Sequence, residues 1–488
     1  MTNHLTLLLQ AFLIHGYVPT ELITCSLKPI VKDKLGDKHS SDNYRAIGIS
    51  SLILKVLDWV ILILFEDELK PSDLQFGFQK KNSTTMCSWV VNESINYFKN
   101  RDTPVFSCFL DLSKAFDLVT FSKLFTKLHD KISSVFIRLL AYIYVYQSCC
   151  VEWCGSKSKS FKVSNGVRQG AVISPILFSL YIDDLFSELA HSGFGCYINN
   201  VFYGILGYAD DLVLLSPNRN GLQSMLNLAK SFFDKLGLKI SVDHVNPKKS
   251  KTKCVSFGLK QDPLPISLDG IDLPWSDKYV HLGHVLSKDG SLKFDVDLKR
   301  RSFIGKFHEF RQELKNTHPV VFMNLILIYN SHFYGSNLWD LFAINDVYIA
   351  WNNVLRTVFD LPRCTHHYLL EPVTEFKHLF TLLTNRFIKF YQTLFSSSKN
   401  IINNLRLIQE RDCRSNFGLN VRNICNRNNS TDILDCLKDS VKYYPINDSD
   451  CWRVNLLKEL MSIKRNANYL EGFSADEINY LTENLACY

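Results

Sequence analysis

The sequence predicts an α+β fold, with helices covering one face of a largely antiparallel sheet. Three observations predict it. Val105 to Leu112 has the apolar and aromatic density of a buried strand. Ile205-Leu206 and Leu212 to Leu215 flank the polar centre Tyr208-Ala209-Asp210-Asp211, the pattern of a hairpin with charge at its turn. Helical stripes are interleaved with these strands, at Leu52, Val56, Trp59 and Ile63 and again from Leu222 to Leu236.

In chain order, residues 1–14 are apolar but lack a basic leader and a small-residue cleavage site, which predicts a core helix rather than a signal peptide. Residues 28–44 form a polar, charged connection. Helical spacing follows from Ser50 to Leu69, and Pro71 stops it. The lipid-like run from Leu52 to Phe65 is interrupted by Lys55 and Asp58 and is too short to span a bilayer. Asn82-Ser83-Thr84 opens a helix to about Phe98. The strand ending at Asp111 precedes a helix-like stretch from Ser113 to Leu128. Ser174-Pro175 reads as a helix start with serine at the cap, Ile176, Leu177, Leu180, Tyr181 and Leu185 lining one face. Leu222, Met225, Leu226, Ala229, Phe233 and Leu236 form a stripe that ends at a C′ glycine, Gly237. Beyond about Leu298 the chain is helical, rich in Phe, Tyr and Asn and poor in glycine. The expected division is residues 1–290 and 291–488.

A chain of 488 residues exceeds one compact core. Its 46% hydrophobic and 21% charged residues exclude a disordered polymer. The net charge of +7 permits a nucleic-acid partner, so the location of the charge carries the argument. Fourteen cysteines are scattered without a CxxC pair, which predicts reduced, buried thiols. The expectation is an intracellular protein of the cytoplasm or nucleus, without a signal peptide or membrane contact.

Two adjacent carboxylates between apolar runs describe either a solvated turn or a cation site. Asp111, ending a hydrophobic strand, is the candidate third carboxylate if both strands share a sheet. Three converging carboxylates suit a hard divalent cation, Mg²⁺ above all, with Mn²⁺ as substitute. Two such ions about 4 Å apart form the clamp of in-line phosphoryl transfer. Gly166-Val167-Arg168-Gln169-Gly170 adds a platform on which two glycines allow close backbone approach to a nucleotide or template.

These segments resemble known ones. Phe109-Leu110-Asp111-Leu112-Ser113-Lys114-Ala115-Phe116-Asp117 resembles motif A of reverse transcriptases. Gly166 to Gly170, through Ser174-Pro175 to Asp183-Asp184-Leu185, resembles motif B, and Tyr208-Ala209-Asp210-Asp211 motif C. Asp42-Asn43-Tyr44-Arg45-Ala46-Ile47 and Gln75-Phe76-Gly77-Phe78 resemble the finger motifs. Asn246-Pro247-Lys248-Lys249-Ser250-Lys251 resembles motif D, and Tyr279-Val280-His281-Leu282-Gly283 the primer grip. The wording is nearest to non-LTR retrotransposons of the LINE, Jockey and CR1 kind, in the family's order from about residue 12 to 290.

The resemblance implies a right-hand polymerase: fingers and palm over 1–290, then a helical thumb and C-terminal region. It implies an RNA-directed DNA polymerase that extends a DNA primer with dNTPs on an RNA template. Asp111, Asp210 and Asp211 would hold the two metals, Asp211 being the weakest candidate for a direct ligand. Lys32 or Lys34, with Arg45, would meet the triphosphate, and Phe116 would crowd the sugar 2′ position. Gly166, Gln169 and Gly170 would contact the nascent pair and template. Lys249, with Lys251 as rival, would stand near the leaving phosphate, and Leu282-Gly283 would turn the primer-gripping strands. Asp117, Asp183 and Asp184 are expected to be structural or surface carboxylates, and His281 packed.

Lys157 and Lys159, the 248–253 run, and Lys299-Arg300-Arg301 flank these motifs as candidate phosphate contacts. Ala46 stands where proline is common, and Gln79 where arginine is common, which removes a positive charge from the fingers. No endonuclease precedes the first finger motif, so nicking of a DNA target is expected to come in trans. The cysteines after Cys364 lack zinc-ligand spacing. Two other readings compete: a retrotransposon remnant that only binds RNA, and another right-hand polymerase such as an intron-encoded or RNA-synthesising one.

Overall fold

The computed structural model describes residues 2–243, 250–315, 317–331 and 333–437, with Val454, Asn455 and Lys458. The chain forms two compact units, Met1–Val91 with Asp102–Asp277, and Asn92–Arg101 with Lys278 onward.

The first unit begins with α1 (Thr2–His15), α2 (Thr20–Ile23), β1 (Thr24–Val31), β2 (Tyr44–Ile49), α3 (Leu52–Leu64) and α4 (Thr84–Lys99). The chain leaves this unit at Asn92 and re-enters it before β3 (Val105–Leu110). There follow α5 (Phe121–Leu128), α6 (Ser134–Tyr146), β4 (Ser148–Trp153), β5 (Ser156–Lys157), β6 (Phe161–Lys162), α7 (Ser174–Tyr181) and α8 (Asp184–Ala190). The unit closes with β7 (Tyr197–Ile198), β8 (Val201–Phe202), β9 (Ile205–Tyr208), β10 (Asp211–Ser216), α9 (Arg219–Leu236), β11 (Lys253–Phe257), β12 (Ile266–Leu268) and β13 (Ile271–Leu273).

Its central sheet has the order β11-β3-β10-β9, every pair antiparallel. All six residues of β3 are buried, as a central strand with covered faces requires. The predicted α9 stripe is the buried face, Gly237 ends the helix at φ +80°, and the Asn218 side chain caps Gly221 N–H at 2.6 Å. A second sheet, β2-β1-β4-β5 with β6 also on β4, carries Tyr44 to Ile47 on β2, and β1 pairs with β4 in parallel.

Four local expectations are corrected. β1 takes Lys28 to Val31 into the sheet, so the connection is shorter than its polar composition suggests. In α3 the predicted stripe faces outward: Leu52, Trp59 and Ile63 are 75%, 50% and 62% exposed, while Leu54, Leu57, Asp58 and Ile61 are buried. An almost wholly apolar helix gives periodicity no face to select, and a partner for Asp58 decides it. The stretch from Ser113 breaks into a 3-10 turn at Ala115–Leu118 before α5, because the carbonyls of Phe116 and Val119 accept from Val167 and Gly166 instead of continuing a helix. Ser174 is the first helical residue, not the cap, and its hydroxyl donates to the Arg168 carbonyl at 2.7 Å.

The second unit contains a hairpin, β14 (Lys278–His281) and β15 (His284–Ser287), followed by α10 (Lys293–Glu313), α11 (Pro319–Tyr329) and α12 (Asn345–Val358). Then come α13 (His367–Thr374), α14 (Leu379–Phe395), α15 (Asn400–Arg411) and α16 (Asn416–Arg427), around a core holding Phe303, Trp339, Trp351, Phe387 and Phe417. Buried Asp295 ties hairpin to helices by accepting from Val285 N–H at 3.0 Å and from Trp339 Nε1 at 2.9 Å. Among the described residues no helix is long and apolar enough to cross a membrane, and the described cysteines are free thiols.

Candidate active site

The carboxylates meet where two strands of the central sheet end. Asp211 pairs with Tyr208, so Ala209-Asp210 forms a two-residue turn between β9 and β10. Ala209 is buried with φ +56°, which suits a primed hairpin turn but is unusual for alanine. Leu212 lies opposite Leu110, and one further step of that register brings Asp111 across from Asp211. Asp111 N–H donates to Thr252 Oγ1 at 3.3 Å, and its carbonyl accepts from Ser241 N–H at 2.7 Å. The register thus brings the Asp111 carboxylate beside those of Asp210 and Asp211.

Their charges oppose one another. Burial and the Asp111 charge hold the Asp210 carboxyl above its ordinary range, against the opposing charge of Arg45 on β2. Burial, then Asp210 and Asp111, raise Asp211 to about 6. Asp211 keeps an open face to solvent, so repulsion is the part of that rise a bound cation would remove. Among the described residues, no three His, Cys, Asp or Glu side chains are gathered closely enough to hold an ion by themselves. The donor chemistry still fits a hard divalent cation, because the oxygens are under-neutralised and such ions take further ligands from phosphate and water. Lys251 Nζ lies 3.8 Å from Asp111 Oδ2 and is largely exposed. Lys249 lies outside the described residues.

Gln75, to which the sequence reading gave no role, supports the turn. It is fully buried. Its Oε1 accepts from Ala209 N–H at 2.8 Å and Gly77 N–H at 3.0 Å, while its Nε2 donates to the Ala209 carbonyl at 3.2 Å. Phe76 N–H donates to the Gly207 carbonyl and Gly207 N–H to the Leu74 carbonyl, so this finger segment runs beside β9. Gln79 Nε2 donates to the Gln75 carbonyl at 2.7 Å, giving the neutral residue there a structural partner.

The glycine-rich platform packs on the motif A turn. Gly166 has φ +90°, and a Cβ there would lie 2.9 Å from Asp117 Cα. Gly170 has φ +75°, and a Cβ there would meet the Gly48 carbonyl oxygen at 2.1 Å, a separation no side chain tolerates. Gln169 Nε2 donates to Asp117 Oδ1 at 3.2 Å. Phe116 stacks on buried Phe178 with centroids 4.5 Å apart and planes at 26°, which fixes the ring of the proposed sugar gate. Arg168 and Asp58, both buried, pair at 3.1 and 3.2 Å, and Asp58 also accepts from Val172 N–H. The signal for that pair was an acid inside an apolar helix, which demands a cationic partner.

Lys32 and Lys34 are exposed on the loop after β1. Asp117 accepts from Gln169, Asp183 from Ser72 N–H, and Asp184 pairs with Lys127. His281 is buried, in keeping with packing. Leu282 and Gly283 form the turn of the β14–β15 hairpin in the second unit, with φ +46° and +79°. There the Leu282 carbonyl accepts from Tyr334 Oη at 3.0 Å, and the Gly283 carbonyl from Lys299 Nζ at 2.8 Å.

Comparison with known proteins adds an independent finding. The profile of the reverse transcriptase (RNA-dependent DNA polymerase) family matches residues 35–286, just over half of the chain. The RNA-directed DNA polymerase from the mobile element jockey of Drosophila funebris is 24% identical over 378 residues, 74% of this chain and 40% of the relative. The Pol polyprotein of the retrotransposable element R2DM of Drosophila melanogaster is 28% identical over 229 residues, 45% of this chain and 20% of the relative. The chain thus spans between a fifth and two fifths of these relatives' lengths. Among solved structures, a telomerase from Candida albicans with a telomeric RNA fragment aligns over 92% of this chain and 68% of its own, at 12% identity and a TM-score of 0.38. Motifs in order, an antiparallel sheet ending in three carboxylates and the family match lead to one conclusion: the chain belongs to the reverse transcriptase (RNA-dependent DNA polymerase) family.

Proposed function

We propose that this chain is the polymerase of a non-LTR retrotransposon, extending a DNA primer 3′-hydroxyl with dNTPs on an RNA template. The observation that carries the reading is the register of β3 and β10, which sets Asp111 across from Asp211 beside the turn bearing Asp210. The family is divalent-metal dependent, and the under-neutralised carboxylates suit that chemistry. Asp111, Asp210 and Asp211 would hold two Mg²⁺ ions, which would supply Lewis acidity at the primer hydroxyl and at the pyrophosphate leaving group.

The chain supplies the rest. Asp111 and Asp210 are the firmer ligands and Asp211 the weaker. Phe116, held by Phe178, crowds the 2′ position and favours deoxynucleotides. Gly166, Gln169 and Gly170 line the approach of the base pair, and Lys32, Lys34 and Arg45 offer charge to the triphosphate. Lys249 was the sequence choice for the leaving phosphate, whereas the pair with Asp111 favours Lys251. Residues 1–290 serve as fingers and palm, and the helical remainder as thumb and C-terminal region. Leu282-Gly283 turns the primer grip.

Primer extension on poly(rA)/oligo(dT), with Mg²⁺ and with EDTA, tests the reading. Extension that needs the metal and is lost in Asp210→Asn is the expected result. RNA binding without extension would support the remnant instead. Equal use of rNTPs and dNTPs would point to another right-hand polymerase, and Phe116→Ala is expected to narrow that preference.

A further inference from the structure

We infer that Gln75 is the positioning residue for the acidic turn, holding the backbone that carries the Asp210 and Asp211 carboxylates. This rests on the polymerase reading above.

The turn needs such a support. A two-residue turn with positive φ at its first position is ordinarily built with glycine or asparagine. Here the position holds Ala209, buried at φ +56°. The two acidic residues that follow repel Asp111 and each other. Backbone strain and charge repulsion both favour opening, and such a conformation persists only where its surroundings over-determine it.

Gln75 meets that requirement with one planar group. Its amide takes both polar atoms of the Ala209 backbone, N–H at 2.8 Å and carbonyl at 3.2 Å. Its oxygen also accepts Gly77 N–H at 3.0 Å. The side chain is fully buried, so water does not compete for these bonds. Backbone bonds between Phe76 and Gly207 and between Gly207 and Leu74 stop the segment from sliding along β9. Gly77 completes the fit, since a Cβ there would stand 2.4 Å from Ala209 N. Glutamine suits this place because a neutral amide donates and accepts at once, without a fourth negative charge beside three carboxylates. Gln75 is fully buried and bonded to the Ala209 backbone, so it acts through the turn.

The test uses Gln75→Met, which keeps length and bulk but removes the bonds, and Gly77→Ala, which keeps the bonds and pushes on the turn. Three quantities are read: the Mg²⁺ concentration for half-maximal extension, Mn²⁺ binding to the chain by electron paramagnetic resonance, and hydrogen exchange of the peptide spanning residues 206–212. Misplacing catalytic groups by about 1 Å costs about a hundredfold in rate, so kcat is expected to fall about that far in Gln75→Met. The Mg²⁺ midpoint is expected to rise several-fold, Mn²⁺ binding to weaken in parallel and exchange to quicken, with primer-template affinity within twofold of wild type. Gly77→Ala is expected to follow in the same direction. Lower activity in either variant with unmoved Mg²⁺ midpoint, Mn²⁺ affinity and exchange would mean mere loss of folded protein and would overturn the inference. If the wild-type chain extends no primer, the polymerase reading fails, while exchange and Mn²⁺ binding still judge Gln75 on their own.

Discussion

Two hairpin turns, one in each unit, solve the same geometric problem with opposite chemistry. The β9–β10 turn has alanine at its positive-φ position and acid after it, and a buried glutamine from another segment holds it. The β14–β15 turn has Leu282 and Gly283, both at positive φ, and is held at its carbonyls by Tyr334 and Lys299. Buried neutral histidines flank it, and the ring of His284 stacks on Tyr334 with centroids 4.7 Å apart. The first turn concentrates negative charge that a cation would relieve. The second holds cationic and aromatic groups against its backbone, which suits a polyanionic strand. One hairpin geometry thus carries opposite charge according to what lines it.

Four experiments would break or sharpen this contrast. The largest effect is expected for Asp210→Asn, which should lower extension at least about a thousandfold through lost cation chemistry. Thermal denaturation without metal should show that variant no less stable than wild type, since a repelling charge is gone. A marked loss of stability would mean that the carboxylate supports the fold. Next comes Gly283→Ala, whose Cβ would stand 3.1 Å from Tyr334 Cε1 at a φ that alanine resists. Its KM for primer-template is expected to rise about tenfold, a cost near 1.4 kcal/mol, with the Mg²⁺ midpoint unchanged. A moved midpoint would erase the division of labour between the turns.

The third experiment is a pH series. Burial, then the neighbouring His284 charge, lowers His281 to about 3; burial, then Lys299, lowers His284 to about 4. A depressed histidine is neutral in the fold, so its contribution is complete above the unfolded value near 6.5 and is lost as pH falls towards 4 and 3. Each histidine should contribute a loss of about 1.4 kcal/mol per pH unit within that window. Denaturant unfolding at pH 7 and 5 checks this, and an acid limb equally steep in His281→Leu would remove that residue from the account. The smallest effect is expected for Ala209→Gly, a change of about 1 kcal/mol or less, because relief at positive φ is offset by a freer unfolded chain. A large gain would mean that Gln75 leaves more strain in the turn than its bonds to Ala209 suggest.

Local pattern made much of this molecule legible. The α9 stripe with its Gly237 stop, the buried β3 and the acidic hairpin all follow from neighbours within a few residues. The α3 stripe misled because the helix is apolar nearly all round. The stretch from Ser113 misled because the glycine-rich platform, distant in sequence, takes its carbonyls.

The sequence by itself determined the family and the order of its motifs. These are carried by residue types at short spacing, where chemistry and chain geometry leave few alternatives. Only the tertiary structure decided that Asp111 stands across from Asp211, that Asp58 neutralises Arg168, and that Gln75 holds a turn 134 residues away. A hydrogen bond or ion pair between distant segments leaves no periodic trace in the chain. It exists because each buried polar group must find a partner, and folding determines which one is within reach.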